Sequence, residues 1–128
     1  MSEPEKAQRL FEKALHDFRA LENMLSSDAF ADEIFGFHAQ QAIEKAFKTW
    51  LIVSGASYPR IHDLRRLLQL IEEKVQHVPE EFWESIDLTD FAAEFRYDFL
   101  ESIEEDFDRV AIVRKVKKII DHVQSLLR

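Results

Sequence analysis

Four polar residues, His38, Gln41, Lys45 and Lys48, are spaced three, four and three apart. That interval places side chains on one face of a helix. Such a stripe can meet an anion at several heights, and an imidazole within it can gain or lose a proton near neutral pH. It is equally the ordinary solvated face that amphipathic helices carry. Gly36 lies just before the stripe. A glycine inside a helix costs about 1 kcal/mol against alanine, so its presence points to close approach by a neighbouring helix or a ligand.

Two further groups have chemical potential. In Arg60-Ile61-His62-Asp63-Leu64, Asp63 suits a helix N-cap, and the start of a helix attracts anions. Alone, the segment is better explained by an Asp that only caps and a His that only bonds a nearby carbonyl. Arg96-Tyr97 holds the sole base in an acidic stretch, and a guanidinium fork matches phosphate geometry. Glu94, Asp98 and Glu101 surround it, so local ion pairing, which adds little stability, is the competing reading.

Other chemistries lack their residues. Two isolated glycines, Gly36 and Gly55, cannot build a phosphate loop. The five histidines are scattered without metal-ligand spacing, and no cysteine is present for a disulfide, a thiolate site or a nucleophile. Neither a metal nor a cofactor is therefore expected. The lack of cysteine fits a reducing cytoplasm. Met1 to Lys6 form no apolar leader, and no run approaches the roughly 18 apolar residues of a membrane span.

The elements that must position these residues are helical. With only two Gly and three Pro in 128 residues, the chain has too few breakers for the turns of a β fold. Its length predicts one domain over 1–128. A first helix reads from Glu3 to Ser26 behind a Ser2/Glu5 capping box, with Ala7, Phe11, Ala14, Phe18 and Leu21 on one face. A second runs from Ala31 to Ser54, its apolar stripe wide enough for several neighbours, and Gly55 suits its end. Asp63 opens a third through Leu64, Leu67, Leu68, Ile71 and Val75. Pro79 opens a fourth, acidic segment with a predicted break near Asp87-Leu88-Thr89. The last begins within 102–108 and carries Val110 to Leu127 at heptad-like spacing. Short connections make these an all-α, up-and-down bundle of about five helices.

Charge is unevenly shared. The chain carries −8, yet residues 80–108 hold twelve acids against Arg96 alone, which puts −11 there and leaves +3 elsewhere. Binding to nucleic acid along its backbone is thereby disfavoured, while a local basic pocket on the other elements is not. The basic last helix, with Arg109, Arg114, Lys115, Lys117 and Lys118, is expected to pair with the acidic segment. Eleven Phe exceed what a small bundle hides, and aromatics left outside mark an interface.

The run Phe37-His38-Ala39-Gln40-Gln41-Ala42-Ile43-Glu44-Lys45-Ala46-Phe47-Lys48 resembles the signature helix of the HEPN (higher eukaryotes and prokaryotes nucleotide-binding) domains. The family's later His-Asp-Leu and Arg-Tyr-Pro are met as His62-Asp63-Leu64 and Arg96-Tyr97-Asp98. The resemblance implies an up-and-down bundle, often a homodimer, encoded beside a small nucleotidyltransferase, in some cases as a toxin–antitoxin-like pair. It implies a nucleotide site drawn from His38, Gln41, Lys45, His62, Asp63, Arg96 and Tyr97. In that arrangement the helix-two residues look across at His62, and Arg96 and Tyr97 close the groove. Some relatives are metal-independent ribonucleases with an Arg followed four to six residues later by His. After Arg96 no His follows at that spacing, and Arg9 with His16 lies outside the motif's place. The expected role is thus a non-catalytic or weakly catalytic nucleotide-binding module working with a nucleotidyltransferase partner. The alternatives are a ribonuclease toxin with a degenerate active site and a purely structural dimerisation module.

Overall fold

The computed structural model describes residues 2–26, 29–75, 77–94 and 108–127, of which 88–94 by backbone alone. Among them are five helices: α1 (Glu3–Met24), α2 (Asp32–Val53), α3 (Leu64–Lys74), α4 (Glu80–Glu94) and α5 (Arg109–Leu126).

Local chemistry sets most of their ends. The first amides of a helix lack intrahelical acceptors, and at α1 the Ser2 hydroxyl accepts from the Glu5 amide at 3.2 Å. Glu5 Oε1 returns the favour to the Ser2 amide at 2.9 Å. The Ser2 amide, and after it the Ser2 hydroxyl donating to the same oxygen at 2.9 Å, hold the Glu5 carboxyl below its usual range. Asp63 accepts from the Arg65 and Arg66 amides at the start of α3, and Asp108 from the Ala111 amide at the start of α5. At the end of α2 the Ala56 amide reaches Leu51 O and the Gly55 amide reaches Ile52 O. This paired closure needs a left-handed residue, supplied by Gly55 at φ +88°.

α2 packs against each of the other four helices, as its wide apolar stripe requires. Phe35, Ile43, Phe47, Trp50 and Leu51 are buried along it, with Ala39, Ala42 and Ala46 between them. Around them close Phe11, Phe18 and Leu21 of α1, Leu67, Leu68 and Ile71 of α3, Phe82 and Ile86 of α4, and Val116, Ile119, Ile120 and Val123 of α5. Each such large side chain contributes about 1.5–3 kcal/mol when fully removed from water. Phe11, Phe18, Phe35, Phe47 and Phe82 are inside, whereas Phe30 and Phe37 stay exposed.

One expectation is corrected. α4 runs unbroken from Glu80 to Glu94. The carboxylate of Asp87 is bound by Arg65 of α3 instead of capping a restart. The expected pairing of α5 with the acidic segment falls largely outside the described side chains, and within them it is met by one ion pair. Lys118 reaches Glu81 at 3.6 Å, Lys117 pairs within its own helix with Asp121 at 2.8 Å, and Arg109 turns to α2.

Arg109 acts as a clamp. Its Nε and Nη2 donate to Asp32 Oδ1 at 3.1 and 2.9 Å, its Nη1 to Met24 O at 2.7 Å, and its Nη2 also to Phe30 O at 2.6 Å. The guanidinium also lies 5.1 Å from the Phe35 ring centre. One side chain thus ties the start of α5 to the α1–α2 connection. Elsewhere, His122 of α5 sits between Trp50 and Phe82, with ring centres 4.7 and 5.5 Å away.

Candidate functional site

Two shielded carboxylates organise the polar stripe of α2. Asp17 lies on α1 between the buried Ala14 and Phe18, its side chain 13% exposed. Its Oδ1 is 3.1 Å from His38 Nδ1, and its Oδ2 accepts from Lys45 Nζ at 2.5 Å. Glu44, on the buried side of α2, accepts from Lys48 Nζ and from His62 Nδ1, both at 2.9 Å. The Lys48 ammonium also stands 5.3 Å over the Tyr58 ring. A carboxylate taken out of water is costly unless cations meet it, and Lys48, one turn after Glu44, supplies one from the same helix.

An ionised carboxylate can only accept, so each histidine presents Nδ1–H to it and keeps Nε2 for another partner. Each cluster therefore joins one carboxylate, one lysine and one histidine. It is neutral while the imidazole is neutral and gains a positive charge when that ring is protonated.

The seven residues named from sequence do not share one site. His38 and Lys45 turn to Asp17 on α1, whereas His62 joins Glu44 and Lys48. The direct facing of His38 and Lys45 with His62 is thus replaced by two adjacent clusters. Half-buried Gln41 lies one turn from His38, Glu44 and Lys45 and so sits between the clusters on the helix face. Asp63 spends its carboxylate on the cap of α3. Arg96 and Tyr97 lie outside the described residues.

Sequence reasoning missed Asp17 and Glu44 as members of the site. Their signal was present: each is an acid embedded in the apolar spacing of its helix, where burial demands a cationic partner. Among the described residues no group of three or more His, Asp or Glu is arranged to hold a metal ion. No helix among them is long and apolar enough to cross a membrane.

The family model described as HEPN domain matches residues 7–126. No curated protein and no solved structure matches the chain.

Proposed function

The chain belongs to the HEPN domain family, and from that premise we propose that it is a nucleotide-binding helical module acting with a small nucleotidyltransferase. The observation that carries the nucleotide reading is the pair of clusters on α2, in each of which a carboxylate pins one lysine and one histidine. Lys45 and His38 are fixed on Asp17, and Lys48 and His62 on Glu44. Side chains already held in place lose little freedom when an anion arrives, which is how preorganisation favours binding. The free Nε2 of each ring, once protonated, is a donor for a phosphate oxygen. His38, Gln41, Lys45 and His62 are the residues assigned to ligand, with Arg96 and Tyr97 added on the resemblance alone.

The nucleotidyltransferase partnership, in the manner of a toxin–antitoxin pair, rests on family membership. So does a homodimer, to which exposed Phe37 and Ile34, each 44% accessible beside the stripe, lend support. The ribonuclease reading has less behind it, because no His follows Arg96 at the family's catalytic spacing.

The test is calorimetric titration of ATP and GTP into the wild type and Lys45→Ala, with helical content checked by circular dichroism. Binding in the wild type that the substitution weakens about tenfold or more supports the reading, since one charge-assisted contact is of that size. Equal heats in both proteins, or none in either, would overturn it.

A further inference from the structure

Lys6, Arg9 and Lys13 follow one another along α1 at intervals of three and four, which sets three cations on one face. With Leu10, Ile52 and Tyr58 they line an open groove of about 320 Å³, and no carboxylate lines it. Glu3 meets Lys6 at 3.1 Å from outside the lining. Arg9 and Lys13 are exposed and have no ion-pair partner among the described residues. Like charges at these spacings weaken a helix, and Glu5, Glu12 and Asp17, each one turn from Arg9 or Lys13, offset that cost without forming an ion pair with the stripe. The stripe is the more notable in a chain of net charge −8.

The groove adjoins the clusters on α2. Lys13 lies one turn before Asp17, the carboxylate that holds Lys45 and His38. Tyr58 belongs to the groove and also carries Lys48 over its ring. The lining has two chemical parts. Leu10, Ile52 and the Tyr58 ring, 40% exposed, form an apolar and aromatic wall. The three cations form a line suited to several negative charges in series.

We propose that this groove seats the phosphate chain of a nucleoside polyphosphate on Lys6, Arg9 and Lys13, with Tyr58 against the ligand's ring. The proposal rests on the nucleotide-binding reading and adds to it residues that reading does not contain. A short polyanion stays within about 8 Å of these cations, the screening distance at physiological salt. A long RNA strand extends over a molecule carrying −11 in residues 80–108. Three cations in series also favour a triphosphate over a monophosphate.

The experiment titrates ATP, AMP, inorganic tripolyphosphate and a short single-stranded RNA against four proteins: wild type, Arg9→Ala/Lys13→Ala, Tyr58→Ala and Lys45→Ala. Arg9, Lys13 and Tyr58 are exposed, and circular dichroism confirms that each variant folds. The expected result is ATP bound about tenfold or more tighter than AMP, with ATP weakened about tenfold or more in the double variant, the size of one or two charge-assisted contacts. Tyr58→Ala weakens ATP and leaves tripolyphosphate unchanged. ATP binding that Lys45→Ala removes and the double variant leaves intact overturns the groove while the nucleotide reading stands. Tripolyphosphate bound on Arg9 and Lys13, with ATP no better than tripolyphosphate, supports the anion seat and overturns the nucleotide reading. RNA bound more tightly than ATP overturns the assignment to a mononucleotide, and binding of no probe overturns groove and reading together.

Discussion

Asp17 of α1 and Lys45 of α2, 28 residues apart in sequence, meet at 2.5 Å, and the same carboxylate is 3.1 Å from His38. The pairing both stabilises the packing of α1 on α2 and spends positive charge that a bound anion would otherwise use. Asp17→Asn should therefore separate the two effects. Folding stability should fall by about 1–3 kcal/mol, because Lys45 loses its charged partner in a half-buried site. ATP affinity should rise, because the amide oxygen still holds Lys45 in place while the competing negative charge is gone. Urea denaturation and calorimetry on the same sample check both signs, and a loss of both stability and affinity would contradict the account.

Glu44 is the more deeply buried acid, and Lys48 beside it is only 10% exposed. Removing one partner of such a pair strands the other charge, at a cost of about 3–5 kcal/mol. Glu44→Ala should approach that loss, and Glu44→Ala/Lys48→Met should recover much of it. A double variant as unstable as the single one would show that Glu44 acts through packing instead.

What was legible in the sequence was what depends on near neighbours. Ser2 with Glu5, Asp63 and Gly55 announce helix ends because each acts within a few residues, and each does so in the structure. The stripe of His38, Lys45 and Lys48 was legible for the same reason. Its division between two carboxylates was not, because it depends on how α1 lies against α2. Spacing along α1 shows that Asp17 shares a turn with Phe18 and Ala14, and says nothing of which residues on another helix arrive there. The unbroken α4 has a similar cause: Asp87 looks like a cap until Arg65 of α3 takes it.

Arg109 satisfies two backbone carbonyls and one carboxylate from a single side chain. Arg109→Ala should lower stability by about 2–4 kcal/mol, since several charge-assisted bonds are lost together. Arg109→Lys should restore little, because an ammonium lacks the planar fork that reaches Met24, Phe30 and Asp32 at once. Shifts in the urea midpoint at unchanged slope would measure both.

Burial between Trp50 and Phe82 pushes the His122 imidazole below its usual range. The unfolded chain takes up that proton near pH 6.5, while the folded chain resists it. The contribution is therefore complete above about pH 6.5 and is lost as pH falls from there through the lower folded value. His122→Phe should flatten the decline in stability below pH 6.5 relative to wild type. Parallel curves from pH 8 to 5 would refute this.

Ile34 and Phe37 stand exposed on α2, one residue before or one turn from His38. If they form the seam of a two-fold dimer, light scattering should give twice 15.1 kDa for the wild type at tens of micromolar, a roughly typical working range. Ile34→Glu/Phe37→Glu should give the monomer with its helical content intact. A wild type that scatters as a monomer would remove these residues from any interface between copies.

The Arg109 clamp also sets an order of events during synthesis. The α1–α2 hairpin has emerged and can pack on local contacts long before its fastener exists, because Asp32 and Arg109 are 77 residues apart. At 5–20 residues per second, roughly 4 to 15 seconds of translation separate the two. Through that interval the carbonyls of Met24 and Phe30 lack the guanidinium that they accept from in the finished fold. The hairpin made first is thus locked last, and a chain interrupted anywhere before Arg109 leaves it open.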